Sequence, residues 1–409
     1  MSISKQLQVL FISTDREIFR EGSEVRGRMK DFASIAEELT IIVFSKSSLG
    51  LKPIQIAPNC HVYPTNSLSR WLYVFDAYRI AMNLFSLSNY SKKSTAEAQS
   101  KVALNLVSTQ DPFECGIAGY RIAKKLRIPL HLQIHTDFLN DRFQKGSKLN
   151  YLRKYIAKFL FREHADIRAV SERIKASIFK KMSFRPNAFP RVEVFPVYVD
   201  SAHFRDAVDT VHLSKKYPGH DLLILMVSRL EKEKNIELAI QIVAVAHKRN
   251  AEAMIGLILV GEGSQKEALK QYAEKYGVAD RVYFEGAVSD PAPYYKSADV
   301  LLVTSLYEGY GRQIAEAIAA GCLVVTRDVG AAREIVKPSS GIVCREDDEE
   351  CLLHNILLLA GNHLVRDQFK NSAHTVSQHA FVESKEQYLE RYKKVWEKAV
   401  LNEEFNPYL

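Results

Sequence analysis

The 409-residue chain lacks most of what would mark a membrane protein, a disulfide scaffold or a metalloprotein. No apolar run is long enough to span a bilayer. The opening residues, Met1 to Gln6, have no charged segment followed by an apolar core, so no signal peptide is expected. The five cysteines (Cys60, Cys115, Cys322, Cys344, Cys351) are odd in number and show no paired metal spacing. That pattern reads as a reduced, cytosolic protein with buried thiols. No Asp-x-Asp motif stands beside a strand end, so neither a metal nor another cofactor is expected. The first apolar run, 7–13, is not followed by Gly-x-Gly-x-x-Gly, which argues against an NAD-dependent dehydrogenase. There is no internal repeat and no low-complexity segment. No RNA- or DNA-binding module is recognisable, so nucleic acid is not the expected partner.

The composition, 47% hydrophobic and 25% charged, is that of an ordinary globular protein, and the length suits two domains of about 200 residues. The net charge of +8 is unevenly placed. Residues 1–204 carry 31 Lys+Arg against 18 Asp+Glu, and residues 205–409 carry 25 against 30. A basic half suggests an anionic surface as partner, or simply a solvated cationic face. Within it, 142–162 holds seven Lys/Arg and no acid, with Leu149, Leu152, Tyr155, Ile156, Phe159 and Leu160 at helical spacing. This reads as a basic amphipathic helix that lies on anionic lipid. The bland alternative is a helix with one face in the core. Trp71, Tyr73, Phe75, Tyr78 and Phe85 cluster in a helical stretch, 68–103, and read as core residues first, or else as part of an acceptor or membrane surface.

Short apolar runs alternate with amphipathic stretches through both halves, the pattern of parallel α/β domains. Leu7 to Ser13 is the first strand. The loop after it holds Gly22-Ser23 and Arg26-Gly27-Arg28, and a helix is expected to about Leu39. Pro129 to Ile134 is a strand ending in His135, the position where open α/β sheets hold ligands. Leu222 to Ser228 opens the second half and runs into Arg229-Leu230-Glu231-Lys232-Glu233-Lys234-Asn235. Arg281 to Gly286 reads as an edge strand, with Ala287-Val288 beyond it.

The stretch that organises the chain is 304–321. A buried strand, Val300 to Val303, leads into Glu308-Gly309-Tyr310-Gly311, and then into a short helix carrying Glu316. Ile314, Ala317 and Ile318 form its buried stripe, and Glu316 points off that stripe. The glycines permit close backbone approach, and a helix start attracts anions.

This combination closely resembles the E-x7-E signature of the family-4 retaining glycosyltransferases. The segment 228–235 resembles the family's Gly-Arg-Leu-x-x-x-Lys-Gly, with Ser228 and Asn235 in place of the glycines. The resemblance covers nearly the whole chain and is most specific over 222–345. It implies the α/β GT-B fold, two Rossmann-like doubly wound parallel-sheet domains facing across a cleft. These would be 1–204, binding acceptor and braced by a C-terminal helix at 383–401, and 205–382, binding a nucleotide sugar. By residue-wise carry-over, Arg229 and Lys234 would bind the donor diphosphate. Glu308 would meet the sugar hydroxyls beside Gly309, Tyr310 and Gly311, and Glu316 would take the ribose hydroxyls. His135 would lie near the reacting carbon, Gly22 would line the first loop, and Val288 would sit by the base. Arg312 falls where the family is usually apolar.

The implied activity is retaining transfer of a hexose or N-acetylhexosamine to a glycan or lipid-linked acceptor, in cell-surface polysaccharide or glycolipid synthesis. The expected setting is the cytoplasm, peripheral on the inner face of the cell membrane. A sugar-nucleotide epimerase, a soluble-acceptor synthase or a non-catalytic partner subunit of the same fold are the alternatives.

Overall fold

The computed structural model describes residues 7–85, 104–162, 166–182, 190–249 and 254–401. The chain divides into two compact units, residues 197–384 forming one, and the residues before and after them the other. The part of the helical expectation that falls on 86–103 lies outside the described residues.

The N-terminal unit is built on β1 (Gln8–Ser13), β2 (Glu38–Val43), β3 (Ile54–Ala57), β4 (Cys60–Pro64), β5 (Leu106–Thr109), β6 (Leu130–Ile134), β7 (Asp166–Ala169) and β8 (Val192–Val194). Their order is β3-β4-β2-β1-β5-β6-β7-β8, all parallel except β3, which pairs antiparallel with β4. β1 is buried at every position, as expected of a strand covered on both faces. The helices are α1 (Glu24–Ser34), α2 (Tyr73–Phe85), α3 (Glu114–Leu126) and α4 (Lys148–Arg162). α1 stops at Ser34, not Leu39, because Asn59 donates from Nδ2 to the Ala33 and Ala36 carbonyls, capping the helix end at 2.8 and 2.9 Å. Ser23 caps its start by accepting from the Arg26 amide, which accounts for serine after Gly22.

The aromatic cluster expected in the core is partly outside it. Trp71 is 77% exposed and Phe75 is 58% exposed, while Tyr73 stacks on Phe44. The buried residues of α2 are Asp76, Ala77 and Ala81, and most of its larger side chains are only half-buried. The basic stretch 142–162 is likewise not one helix. It breaks at Gly146 into a short turn of helix, Asp141–Lys145, and α4. Leu160 and Phe161 of α4 are buried, whereas Tyr151, Leu152, Tyr155 and Phe159 are exposed.

The other unit has β9 (Leu222–Val227), β10 (Ile255–Val260), β11 (Val282–Gly286), β12 (Val300–Val303), β13 (Leu323–Arg327) and β14 (Gly341–Cys344). They form one parallel sheet ordered β11-β10-β9-β12-β13-β14, so β11 is an edge strand. The strand order reverses between β9 and β12, and in such sheets ligands bind in the crevice outside the strand ends at that point. Helices α5 (Ile236–Arg249), α6 (Arg312–Ala320) and α7 (His363–Ser377) cover the sheet, and the core joins Ile224, Met226 and Leu257 to Ile240 and Val243 of α5.

The last helix, α8 (Lys385–Leu401), belongs to the N-terminal unit. Its Tyr392 stacks on Phe32 at 4.5 Å, and Trp396 meets Phe32 edge-on. Arg168 of β7, fully buried, donates to Tyr388 and Tyr392 of α8, to the carbonyls of Phe195 and Pro196, and to Gln133.

One sequence expectation is overturned in the cysteines. Cys344 and Cys351 form a disulfide from the end of β14 to the helix that follows, with their Cα atoms 5.7 Å apart. Cys60, Cys115 and Cys322 remain buried thiols. Two of the five cysteines are therefore not the free thiols the odd count suggested.

Candidate active site

The loops after β9 and β12 meet at the switch point. After β9 the chain runs through Ser228-Arg229-Leu230-Glu231 into a 3-10 turn, Lys232–Lys234, and Asn235 enters α5 with positive φ, which asparagine tolerates. After β12, Thr304 and Ser305 are buried, and the Thr304 hydroxyl donates to the Lys234 carbonyl at 2.9 Å. The Leu306 amide donates to the Glu233 carbonyl at 2.8 Å. These bonds fix the two loops against each other.

They also bring Lys234 and Glu308 together. The Lys234 ammonium donates to Glu308 Oε1 at 2.6 Å, with side-chain exposures of 13% and 11%. Ser305 and Gln313 donate to the same oxygen, each at 2.9 Å. Three donors therefore occupy Oε1. Oε2 makes no hydrogen bond among the described residues. A carboxylate accepts about four hydrogen bonds, so this anchored group presents one open acceptor oxygen. Arg229 is exposed and pairs with Glu233 at 2.7 Å; no ion pair links it directly to Glu308.

The turn Gly309-Tyr310-Gly311 leads into α6, with Gly311 as its N-cap at φ +84°. Tyr310 is buried, and its carbonyl accepts from the Ala331 amide at 2.9 Å. The loop after β13 presses close here. A Cβ on Gly330 would lie 2.6 Å from the Tyr310 carbonyl oxygen, so only glycine fits. Gly263, after β10, has a similar constraint: a Cβ there would meet the Leu230 carbonyl oxygen at 2.3 Å. The Gly261-x-Gly263 turn thus serves packing against the β9 loop. Val288 is half-buried beyond β11 on the outer strand of the same sheet.

Glu316 is buried rather than turned off the covered face of α6, at 7% exposure. The helix packs on α7 and on short helices at Ser201–Asp206 and Ala292–Ser297, so little of its surface is left to solvent. The Tyr295 hydroxyl donates to Glu316 Oε2 at 3.0 Å, and Arg312 pairs with Oε1 at 3.2 Å. Burial, then the Glu316 charge, pushes the Tyr295 phenol well above its ordinary value, so it stays a donor.

Two candidates lie in the N-terminal unit. Gly22 is an exposed turn residue at φ +75° with open space around it. His135 follows β6 at an exposed position, and its Nε2 lies 3.1 Å from Gln133 Oε1. Crowding at the strand end, then the charges of Arg168 and Arg28, lower its imidazole to about 3. The direction is towards the neutral form. Ser305, Gln313, Tyr295 and Gln133 were not singled out from sequence. Ser305 and Gln313 stand three before and five after Glu308, but nothing in those spacings marks them as its hydrogen-bond donors. Among the described residues no group of three or more His, Cys, Asp or Glu could hold a metal, and no helix is long and apolar enough to cross a membrane.

The family model for glycosyl transferases group 1 matches residues 210–376, which carry β9 to β14 and every member of the Lys234–Glu308–Glu316 arrangement. The chain is 27% identical over 250 residues to alpha-monoglucosyldiacylglycerol synthase of Streptococcus pneumoniae, covering 59% of this chain and 55% of that protein. It is 36% identical over 118 residues to an uncharacterized glycosyltransferase of Methanocaldococcus jannaschii, 28% and 29% of the two chains. The chain thus spans about half or less of the curated relatives it matches. Solved structures match over almost the full length. Anabaena HepE in complex with UDP and glucose superposes with a TM-score of 0.70 at 16% identity, over 95% of this chain and 99% of that one. Sucrose-phosphate synthase from Thermosynechococcus elongatus gives 0.74 at 17%, over 96% and 98%. The chain therefore has the GT-B fold, with an α/β parallel-sheet unit in each half.

Proposed function

We propose that this protein is a retaining glycosyltransferase that moves a hexose or N-acetylhexosamine from a nucleoside-diphosphate sugar to a glycan or lipid-linked acceptor, without a metal. The observation that carries the reading is Glu308, anchored through Oε1 by Lys234, Ser305 and Gln313 and open at Oε2, where the sheet order reverses. An ionised carboxylate held this way is a strong acceptor for sugar hydroxyls. Glu316, which accepts from Tyr295 and pairs with Arg312, takes the ribose hydroxyls. Lys234 has two further N–H groups, and with Arg229 it offsets the charge that builds on the diphosphate as the sugar C1–O bond breaks. The acceptor oxygen then bonds C1 from the same face, and its proton passes to the departing phosphate. His135 contacts the sugar.

Support for a glycolipid or surface-polysaccharide role comes from the relatives' names and from α4. Tyr151, Leu152, Tyr155 and Phe159 are exposed beside Lys148, Lys154 and Lys158, a pairing of apolar and basic groups suited to the inner face of an anionic membrane.

Slow donor hydrolysis in D2O, followed by proton NMR, tests the stereochemistry without knowledge of the acceptor. The first free sugar formed from an α-linked donor should be the α anomer. The β anomer appearing first would overturn the retaining assignment.

A further inference from the structure

Gln133 lies on β6 and His135 is the first residue beyond it, and their side chains meet at the strand end. Their neighbours decide which atoms face which. Arg168 Nη1 donates to Gln133 Oε1 at 2.8 Å. Arginine has no acceptor, so the atom facing it is the amide oxygen. Gln133 Nε2 donates to the Ser108 hydroxyl at 3.2 Å, which is consistent with the same orientation. The oxygen can only accept. His135 Nε2, 3.1 Å from it, must therefore carry the proton. His135 Nδ1 is then a bare lone pair, and it has no partner among the described residues. The charged groups facing the ring, Arg168 on β7 and Arg28 on α1, together with His131 on β6, all oppose a second proton.

We infer that Gln133, held by Arg168, is a positioning residue that fixes His135 as the Nε2–H tautomer, so that Nδ1 accepts a hydrogen bond from a hydroxyl of the bound sugar or acceptor. This rests on the reading of His135 as a ligand contact. It narrows that contact to a hydrogen-bond donor on the substrate and assigns a role to a residue not among the site candidates. Ser108 continues the chain of bonds: its oxygen accepts from Gln133 and lies in hydrogen-bond contact with His131 Nδ1 at 2.9 Å.

The test is nitrogen-15 NMR of histidine-labelled protein, with the His135 signals assigned by their loss in His135→Asn. The wild type should show the Nε2–H tautomer. Gln133→Leu should lose the fixed tautomer and lower kcat about tenfold, the size of one lost hydrogen bond. Gln133→Glu keeps an acceptor and adds a negative charge, so it should retain the tautomer but raise the imidazole's pKa. The acid limb of its kcat–pH profile should then move up into the range of about pH 5–7. A merely structural glutamine would shift neither the tautomer nor that limb. An Nδ1–H tautomer in the wild type, or an unchanged tautomer in Gln133→Leu, would overturn the inference. His135→Ala working at the wild-type rate would instead remove the ligand contact beneath it, and with that the positioning role.

Discussion

Replacing Lys234 by Met should expose how strongly the candidate site depends on one ion pair. Lys234 and Glu308 approach to 2.6 Å with about seven-eighths of each side chain covered. Coulomb's law at that distance gives about 1.6 kcal/mol in water and about 6 kcal/mol at an effective dielectric of 20. Desolvation of both groups offsets much of the larger figure. What remains should be about 2 kcal/mol, within the roughly 1.5–3 kcal/mol found for hydrogen bonds to charged groups. The measurement is a double-mutant cycle of Lys234→Met and Glu308→Gln. The chain's two tryptophans, Trp71 and Trp396, both lie in the N-terminal unit, so their fluorescence reads the wrong part of the protein. Hydrogen exchange of peptides covering β9 and β12 reports the right one. Each single change should weaken protection by about 2–3 kcal/mol, and the double change should cost about 2 kcal/mol less than their sum. Transfer by Lys234→Met should fall by about 100-fold or more through loss of charge near the diphosphate. A coupling below about 0.5 kcal/mol, the range of exposed pairs, would refute the claim that Glu308 is held by Lys234.

Three other outcomes are expected. Arg168→Met removes five hydrogen bonds that join β6, β7 and the end of β8 to α8, and should cost about 3–5 kcal/mol, read by Trp396 fluorescence in urea. Burial, then Arg168, lowers His131 to about 3 from 6.5. The native state therefore keeps it neutral while the unfolded chain takes up a proton. Its contribution to stability is full above about pH 6.5 and is lost as pH falls towards 3, so His131→Asn should flatten the acid side of a stability–pH curve. Tyr155→Glu, at a 69% exposed position on α4, should reduce flotation with phosphatidylglycerol vesicles severalfold, and unchanged flotation would count against membrane docking.

The parallel strands were legible because each is a short apolar run buried on both faces, as in Leu222–Val227 and Val300–Val303. The Glu308 loop was legible because strand, glycine turn and helix follow without a gap. What was hidden depended on neighbours far along the chain. Glu316 looked outward on its own helix, but Tyr295 and the segments at 201–206 and 292–297 cover it. The Cys344–Cys351 bond joins residues seven apart across a strand end and a helix start, a spacing that neither metal nor disulfide patterns pick out. Trp71 and Phe75 looked like core because aromatics usually are, yet Trp71 precedes α2 and the buried positions of α2 go to Asp76, Ala77 and Ala81. The hydrogen bonds that orient Glu308 and His135 come from Ser305, Gln313 and Gln133, residue types too common in sequence to single out.

The most direct test of the account is calorimetric titration of UDP, GDP and ADP into the wild type and Glu316→Ala, with EDTA present throughout. One nucleotide should bind the wild type without metal, and Glu316→Ala should weaken that binding about tenfold or more through loss of charge-assisted hydrogen bonds to the ribose. Binding of none of the three, or equal affinity in both proteins, would contradict a nucleoside-diphosphate site built around Glu308 and Glu316.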